Sequence, residues 1–193
     1  MRRFLPAAVT CLLSLVPGCA TIEKYAELPN VEFHLDGTEH ARLAGIDIDH
    51  IDRVEQIPPL DFLRIADAAR RGNLPLRFDL LVGADNASTY TYDLRLEKLE
   101  WTLLLEDRDT VSGVLERNLV ISPTGTTAIS VPVELDLMRF FEDGASDLAR
   151  LALRVAGVGD ETANVKLRAR PTLRTPLGTY RFPSEITIAS KNV

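Results

Sequence analysis

Asp47, Asp49, His50 and Asp52 stand close together, and His34 and His40 precede them. Carboxylates and imidazoles are the donor types that hold a hard divalent cation or zinc. Asp47 and Asp49, two apart, would share one face of a strand. Zinc needs three or four converging donors with outer support, and no matched His or Cys pair follows downstream. A solvated strand face running into a loop accounts for the same residues, so no metal is expected. Asp93, Glu97 and Glu100 could offer the two carboxyl groups that cleave a glycosidic bond, but such pairs arise freely among 28 acids. Ser112-Gly113 and Ser122 lack the glycine frame of a nucleophile elbow and have no assignable His partner. No Gly-Lys-Ser/Thr loop is present to cradle a phosphate. The expectation is a chain that is not an enzyme and needs no cofactor.

One charge pattern stands out. Lys166, Arg168, Arg170 and Arg174 are all even-numbered, so on a strand they project away from Val165, Leu167 and Leu173. Such a basic stripe could meet anionic headgroups, each cation contributing about 1 kcal/mol at a membrane surface. It could equally pair across strands with acids such as Glu134 and Asp136, at little gain per pair.

The chain that must position these residues has 193 of them, enough for one well-buried core. Its 46% hydrophobic content excludes intrinsic disorder, and two cysteines exclude a disulfide scaffold. With 22 basic against 28 acidic residues the net charge is -6, which argues against a nucleic-acid partner. Short strands dominate the pattern. Val31, Phe33 and Leu35 alternate with polar residues, as do Ala44, Ile46 and Ile48. After Pro58-Pro59, residues Leu60, Leu63, Ala66 and Ala69 recur at helical spacing up to Arg70-Arg71-Gly72. Leu76, Phe78, Leu80 and Val82 form the next strand. Between Tyr90 and Leu105 the apolar positions are even up to Leu96 and odd from Leu99, with Trp101 among them. One face can stay buried only if an extra residue is accommodated at Glu97-Lys98, as a bulge or a tight turn. Strands are expected at Val111–Leu115, at Leu119–Ile121 and at Ile129–Leu135. Pro132 confines the last to an edge or to a position whose N–H is not needed. Leu137 to Val155 has helical spacing that Gly144 could split. Val165–Leu173 resumes alternation, Thr175–Gly178 turns, and Tyr180, Phe182, Ile186 and Ile188 finish the chain. These elements predict a mainly β protein, an antiparallel sandwich capped by one or two α-helices.

The N-terminus reads as an address. Arg2 and Arg3 precede a mostly apolar run, Phe4 to Val16, too short to span a bilayer. The stretch Leu15-Val16-Pro17-Gly18-Cys19 resembles a bacterial lipobox. That resemblance implies a signal peptide over 1–18, cleavage between Gly18 and Cys19, and a lipidated tether over 19–30 ahead of a single domain over 31–193. Cys19 would carry a diacylglyceryl thioether and an N-acyl chain such as palmitate. Cleavage removes two basic residues and no acid, so the mature chain is two units more negative than -6. Ala20, in place of an Asp after the cysteine, implies the outer membrane facing the periplasm in a Gram-negative cell.

Four segments then resemble LEA type 2 proteins, the water-stress and hypersensitive-response (WHy) domain. They are Leu76–Val82 ending in Asp85-Asn86, Tyr92–Trp101, Gly125–Val133 and Thr175–Pro183, within a match of about 74–190. Ala87 stands where the family's turn has a proline, and the helical stretch 60–71 is additional. The resemblance implies an immunoglobulin-like or fibronectin-III-like sandwich in a non-enzymatic, stress-associated binding protein of the envelope. It also implies an alternative, a carrier of lipid or another apolar ligand. The partners expected are the membrane, through the anchor, and such a ligand.

Overall fold

The computed structural model describes residues 29–87, 92–158 and 163–189. Gly18 and Cys19, the expected signal peptide, most of the tether and Tyr90 lie outside these residues. In chain order the elements are β1 (Val31–Leu43), β2 (Ile46–Asp47), α1 (Pro59–Arg70), β3 (Pro75–Asn86), β4 (Leu94–Leu105), β5 (Arg108–Ile121), β6 (Thr126–Asp136), α2 (Ala145–Val155), β7 (Val165–Thr175), β8 (Gly178–Arg181) and β9 (Ile186–Ala189). Two short 3-10 turns, Val54–Gln56 and Leu137–Arg139, precede α1 and α2.

The strands form two antiparallel sheets. One has the order β2-β1-β3-β6. The other has the order β5-β4-β7, with β8 and β9 both pairing the remaining edge of β7. The molecule is therefore a two-sheet antiparallel β-sandwich with two helices. The core between the sheets follows from period-two alternation. Leu76, Phe78, Leu80 and Val82 of β3 face inward with Ile129, Val131, Val133 and Leu135 of β6. Opposite them lie Leu94, Leu96, Leu99, Trp101, Leu103 and Leu105 of β4, with Leu167, Ala169 and Leu173 of β7. Each fully buried leucine contributes about 1.5–3 kcal/mol relative to an exposed one.

The change of parity in β4 is a bulge within one continuous strand. The register with β7 steps from Leu96↔Leu173 to Lys98↔Thr172, so Glu97 is the unpaired extra residue. Both Glu97 and Lys98 then lie on the outer side while leucines stay inside on either flank. Pro132 sits on β6, an edge strand that pairs only with β3, where its missing N–H costs no second ladder.

Four local readings differ from the alternation. Ala44 belongs to a turn, with φ of 50° at Ala44 and 81° at Gly45, so the second strand shrinks to Ile46–Asp47. Residues 108–121 form one strand, because irregular pairing with β4 absorbs the polar Arg117 and Asn118. Over 137–155 there is a 3-10 turn and then a separate helix with Gly144 as its N-cap. In α1 the buried residue is Ile65, flanked by half-buried Phe62, Ala68 and Ala69, while Leu60 and Leu63 are 64% and 61% exposed. The helix has two apolar stripes, and the one carrying the larger Phe62–Ile65 surface turns inward. In α2 almost the whole apolar stripe is buried, from Leu148 to Val155.

Candidate functional site

The outer face of the five-stranded sheet carries the basic stripe, and each row of the ladder decides what its cations meet. Even-numbered β7 residues point outward, as their lesser burial shows. Lys166 reaches the tight turn between β4 and β5, where its Nζ donates to Asp107 Oδ1 at 2.6 Å. Arg168 pairs with Asp109 at the start of β5, and its Nε lies 3.8 Å from Glu185. Arg174 stands opposite Arg95, a like charge, and donates through Nε to the bulge residue Glu97 at 2.5 Å. Arg170 stands opposite Glu100. Both oxygens of Glu100 are engaged elsewhere, Oε1 by Lys98 at 2.9 Å and Oε2 by Arg181 at 2.5 Å. Arg170 has no ion pair among the described residues, and its buried Nε has no acceptor.

Two carboxylates of this lattice are shifted by their partners. The hydrogen bonds from Lys98 and Arg181 push the Glu100 carboxyl down from 4.5 to about 2. The bond from Lys166 likewise lowers Asp107. A group depressed in the folded state contributes stability above its unfolded value and loses it on acidification. The contribution of Glu100 is thus fully present above about pH 4.5 and disappears as pH falls to about 2. We expect Glu100→Gln to lower the melting temperature on the neutral side, where the wild-type contribution is fully present, and to flatten the acid limb so that the two profiles converge near pH 2. A profile parallel to wild type below pH 4.5 would mean that the lattice is not formed in solution.

The carboxylates that couple to the stripe are Glu97, Asp107, Asp109 and Glu185. Glu134 and Asp136 lie on the other sheet, where Glu134 pairs with Arg77 at 2.8 Å and Asp136 caps the turn at Leu137–Arg139. The signal for the true partners was local. Glu106-Asp107 follows an alternating strand directly and so marks a hairpin tip beside the stripe. Both residues take left-handed φ, 49° and 59°, which non-glycine residues adopt at some cost in a two-residue hairpin.

The other candidate groups are held apart. His34 is buried on the outer side of the first sheet, with Nε2 3.0 Å from Asp36 and Nδ1 3.5 Å from Asp85. Its ring lies over Gly83, where a β-carbon would come within 2.2 Å of Nε2. Asp85 in turn accepts from Thr126 at 2.6 Å. His40 is exposed and bonded to Asp79 at 3.0 Å, which raises its pKa. Asp49 accepts from the Ala41 amide, Asp47 accepts from the Asp49 amide, and His50 is exposed. Among the described residues no three of these donors are grouped to hold a metal ion. Ser112 shares a hydrogen bond with Thr102 at 2.8 Å. Glu97 and Glu100 are tied to arginines, and Glu100 is driven away from the raised pKa that a general acid needs. An apolar niche lies where β1, the end of α2 and the start of β7 meet, lined by Leu35, Leu80, Val155, Ala163 and Val165. Its volume is about 90 Å³. Ligand pockets usually hold about 300 Å³ or more.

No family model matches the chain, and no curated protein matches it. Several solved structures are similar to it. One is a candidate late embryogenesis abundant (LEA) protein, 17% identical with a TM-score of 0.39, covering 88% of this chain and 77% of that one. Another is a protein of Arabidopsis thaliana, 18% identical with a TM-score of 0.38, covering 61% of this chain and 73% of that one. A third, a candidate ApaA protein of Bordetella pertussis, is 12% identical with a TM-score of 0.37, covering 86% and 97%. Likeness at this depth carries no functional argument, and the sandwich itself is read from its strand ladders.

Proposed function

We propose that this chain is a lipid-anchored, non-enzymatic envelope protein of the LEA type 2 kind, with a binding or stress-protective role at the outer membrane. The observation that supports the reading is where the four family-like segments fall. Leu76–Asn86 lies within β3, Tyr92–Trp101 leads into β4, Gly125–Val133 enters β6, and Thr175–Pro183 spans the turn from β7 to β8. They therefore occupy strands and turns of one sandwich, as a family domain requires. Cys19 supplies the lipid, with Gly18 on the other side of the cleavage, and no separate cofactor is needed. Within the stripe of Lys166, Arg168, Arg170 and Arg174 the group left to meet an anionic surface is Arg170, since the other three are paired with carboxylates.

A protection assay tests the role. Drying and rehydrating a labile enzyme beside this protein should preserve more of its activity than an equal mass of albumin does. Recovery no better than with albumin would sink the stress-protective reading. The carrier alternative has the small apolar niche as its only support among the described residues. Native mass spectrometry with lipid extraction decides it, since a carrier retains a stoichiometric apolar ligand.

A further inference from the structure

We propose that Arg170 is an anion-binding site on the outer face of the five-stranded sheet, taking a phosphate-type oxyanion with Arg168 as its flanking donor. Seven cations crowd this face: Arg95 and Lys98 of β4, Lys166, Arg168, Arg170 and Arg174 of β7, and Arg181 of β8. Five of them are neutralised within the protein: Lys166 by Asp107, Arg168 by Asp109 with Glu185, Arg174 by Glu97, and Lys98 and Arg181 by Glu100. Arg95 and Arg170 have no ion pair among the described residues, and of the two Arg95 is exposed to solvent whereas Arg170 has a buried Nε. The acid opposite Arg170 in the ladder, Glu100, is already held at both oxygens by Lys98 and Arg181. Rotating Glu100 toward Arg170 would break two charged hydrogen bonds to form one.

One donor of the Arg170 guanidinium is thus left without an acceptor, and the Nε of Arg168 shares that state. The Arg170 Nε–H is out of contact with solvent. Burying a charged donor without a partner is costly, and an incoming oxyanion removes that cost. Arg presents parallel N–H groups in a rigid fork that matches phosphate oxygens. Arg168, two residues away on the same face, stands about 7 Å along the strand. A phosphate has enough acceptor oxygens to engage Arg170 with two and reach toward Arg168 with another. Next to Arg170 the second edge of β7 changes partner: β9 pairs up to Ala169 and β8 begins at Thr172. No strand residue therefore lies directly across from Arg170 on that side, where the connection between β8 and β9 passes and the Phe182 amide donates to the Pro171 carbonyl at 3.0 Å. The site deepens the proposed reading of this face as one offered to anions and rests on that reading alone; it requires neither the lipid anchor nor a stress role.

The test uses the full chain labelled with nitrogen-15, observing the arginine Nε–Hε resonances. Inorganic phosphate is titrated first. A short-chain phosphatidylglycerol, kept below its micelle concentration, is titrated separately. We expect a saturable shift of the Arg170 resonance, a smaller one at Arg168, and none at Arg174. Chloride at equal ionic strength should not reproduce it. A response to both probes, or to only one, supports the site and assigns its source as any phosphate group, a free phosphate or a lipid headgroup. Arg170→Gln should lose the saturable response at Arg168 while keeping the melting temperature, and Arg170→Lys should retain it weakly. The proposal is overturned by a flat Arg170 resonance with both probes, by equal non-saturating shifts at every arginine, or by an unchanged Arg168 response in Arg170→Gln.

Discussion

Trp101→Ala should lower the unfolding free energy by about 3–5 kcal/mol, the range for truncating a buried aromatic residue. For a chain of this size that corresponds to a fall in melting temperature of roughly 6–20 °C. The indole is 8% exposed and sits on the inner face of β4, between β5 and β7. Its two ladder neighbours are Gly113 and Ala169. Both are small, and a β-carbon on Gly113 would fall 2.5 Å from the indole ring. Glycine is thus a seat for the ring. Once the ring is gone, neither neighbour has a side chain that could swing into the space, which places the loss toward the upper part of the range. Gly113→Val attacks the same contact from the other side and should also destabilise. In the double variant the two penalties should overlap, since the valine then partly fills the space left by tryptophan. An unchanged Trp101→Ala melt would mean that the register of β4 is wrong.

Cys19→Ser should move the protein completely from the membrane fraction to the soluble fraction. One acyl chain gives only marginal binding, whereas the several chains implied at Cys19 give stable anchoring, so the effect is all or none. Fractionation after a high-salt wash measures it, because salt strips peripheral electrostatic binding and spares a lipid anchor. Cys11→Ser, within the apolar run, serves as the control and should change nothing. Wild-type membrane retention of Cys19→Ser with the leader removed would refute the anchor.

The fold was legible where one face of a strand is apolar and the other polar. The bulge at Glu97 illustrates this, since a parity change within an otherwise strict alternation has few physical solutions. Pro132 marked an edge for the same kind of reason, a missing donor. The helix face of α1 was not legible, because Leu60–Leu63 and Phe62–Ile65 are both apolar at helical spacing, and only tertiary contact chooses between them. The stripe shows the limit for sites. Alternation put Lys166, Arg168, Arg170 and Arg174 on one face. It could not identify Glu97, Asp107, Asp109 and Glu185 as their neighbours, because that depends on which strands lie side by side and where a hairpin closes. The unsatisfied state of Arg170 depends further on Glu100 being held by Lys98 and Arg181, and Arg181 comes from a strand 81 positions away in sequence.

The route by which the chain enters the sandwich has a mechanical consequence. Val31, the first residue of β1, is paired with Asn86, whereas Leu43 at the other end is paired with Leu76. Ala189 is paired with Lys166, beside Leu104, at the end of the molecule where β1 finishes. The two ends of the described chain therefore leave from opposite poles. A pull applied at residue 30 runs along the axis of β1, and it loads the hydrogen bonds between β1 and β3 in shear. A ladder sheared in this way must yield many bonds at once, whereas one peeled from its end gives way bond by bond. The interruptions of register after Leu35 and after Glu39 divide β1 into three lengths and set where slip would begin. Extension by optical tweezers through the N-terminus should thus meet its highest force at the first event, the withdrawal of β1.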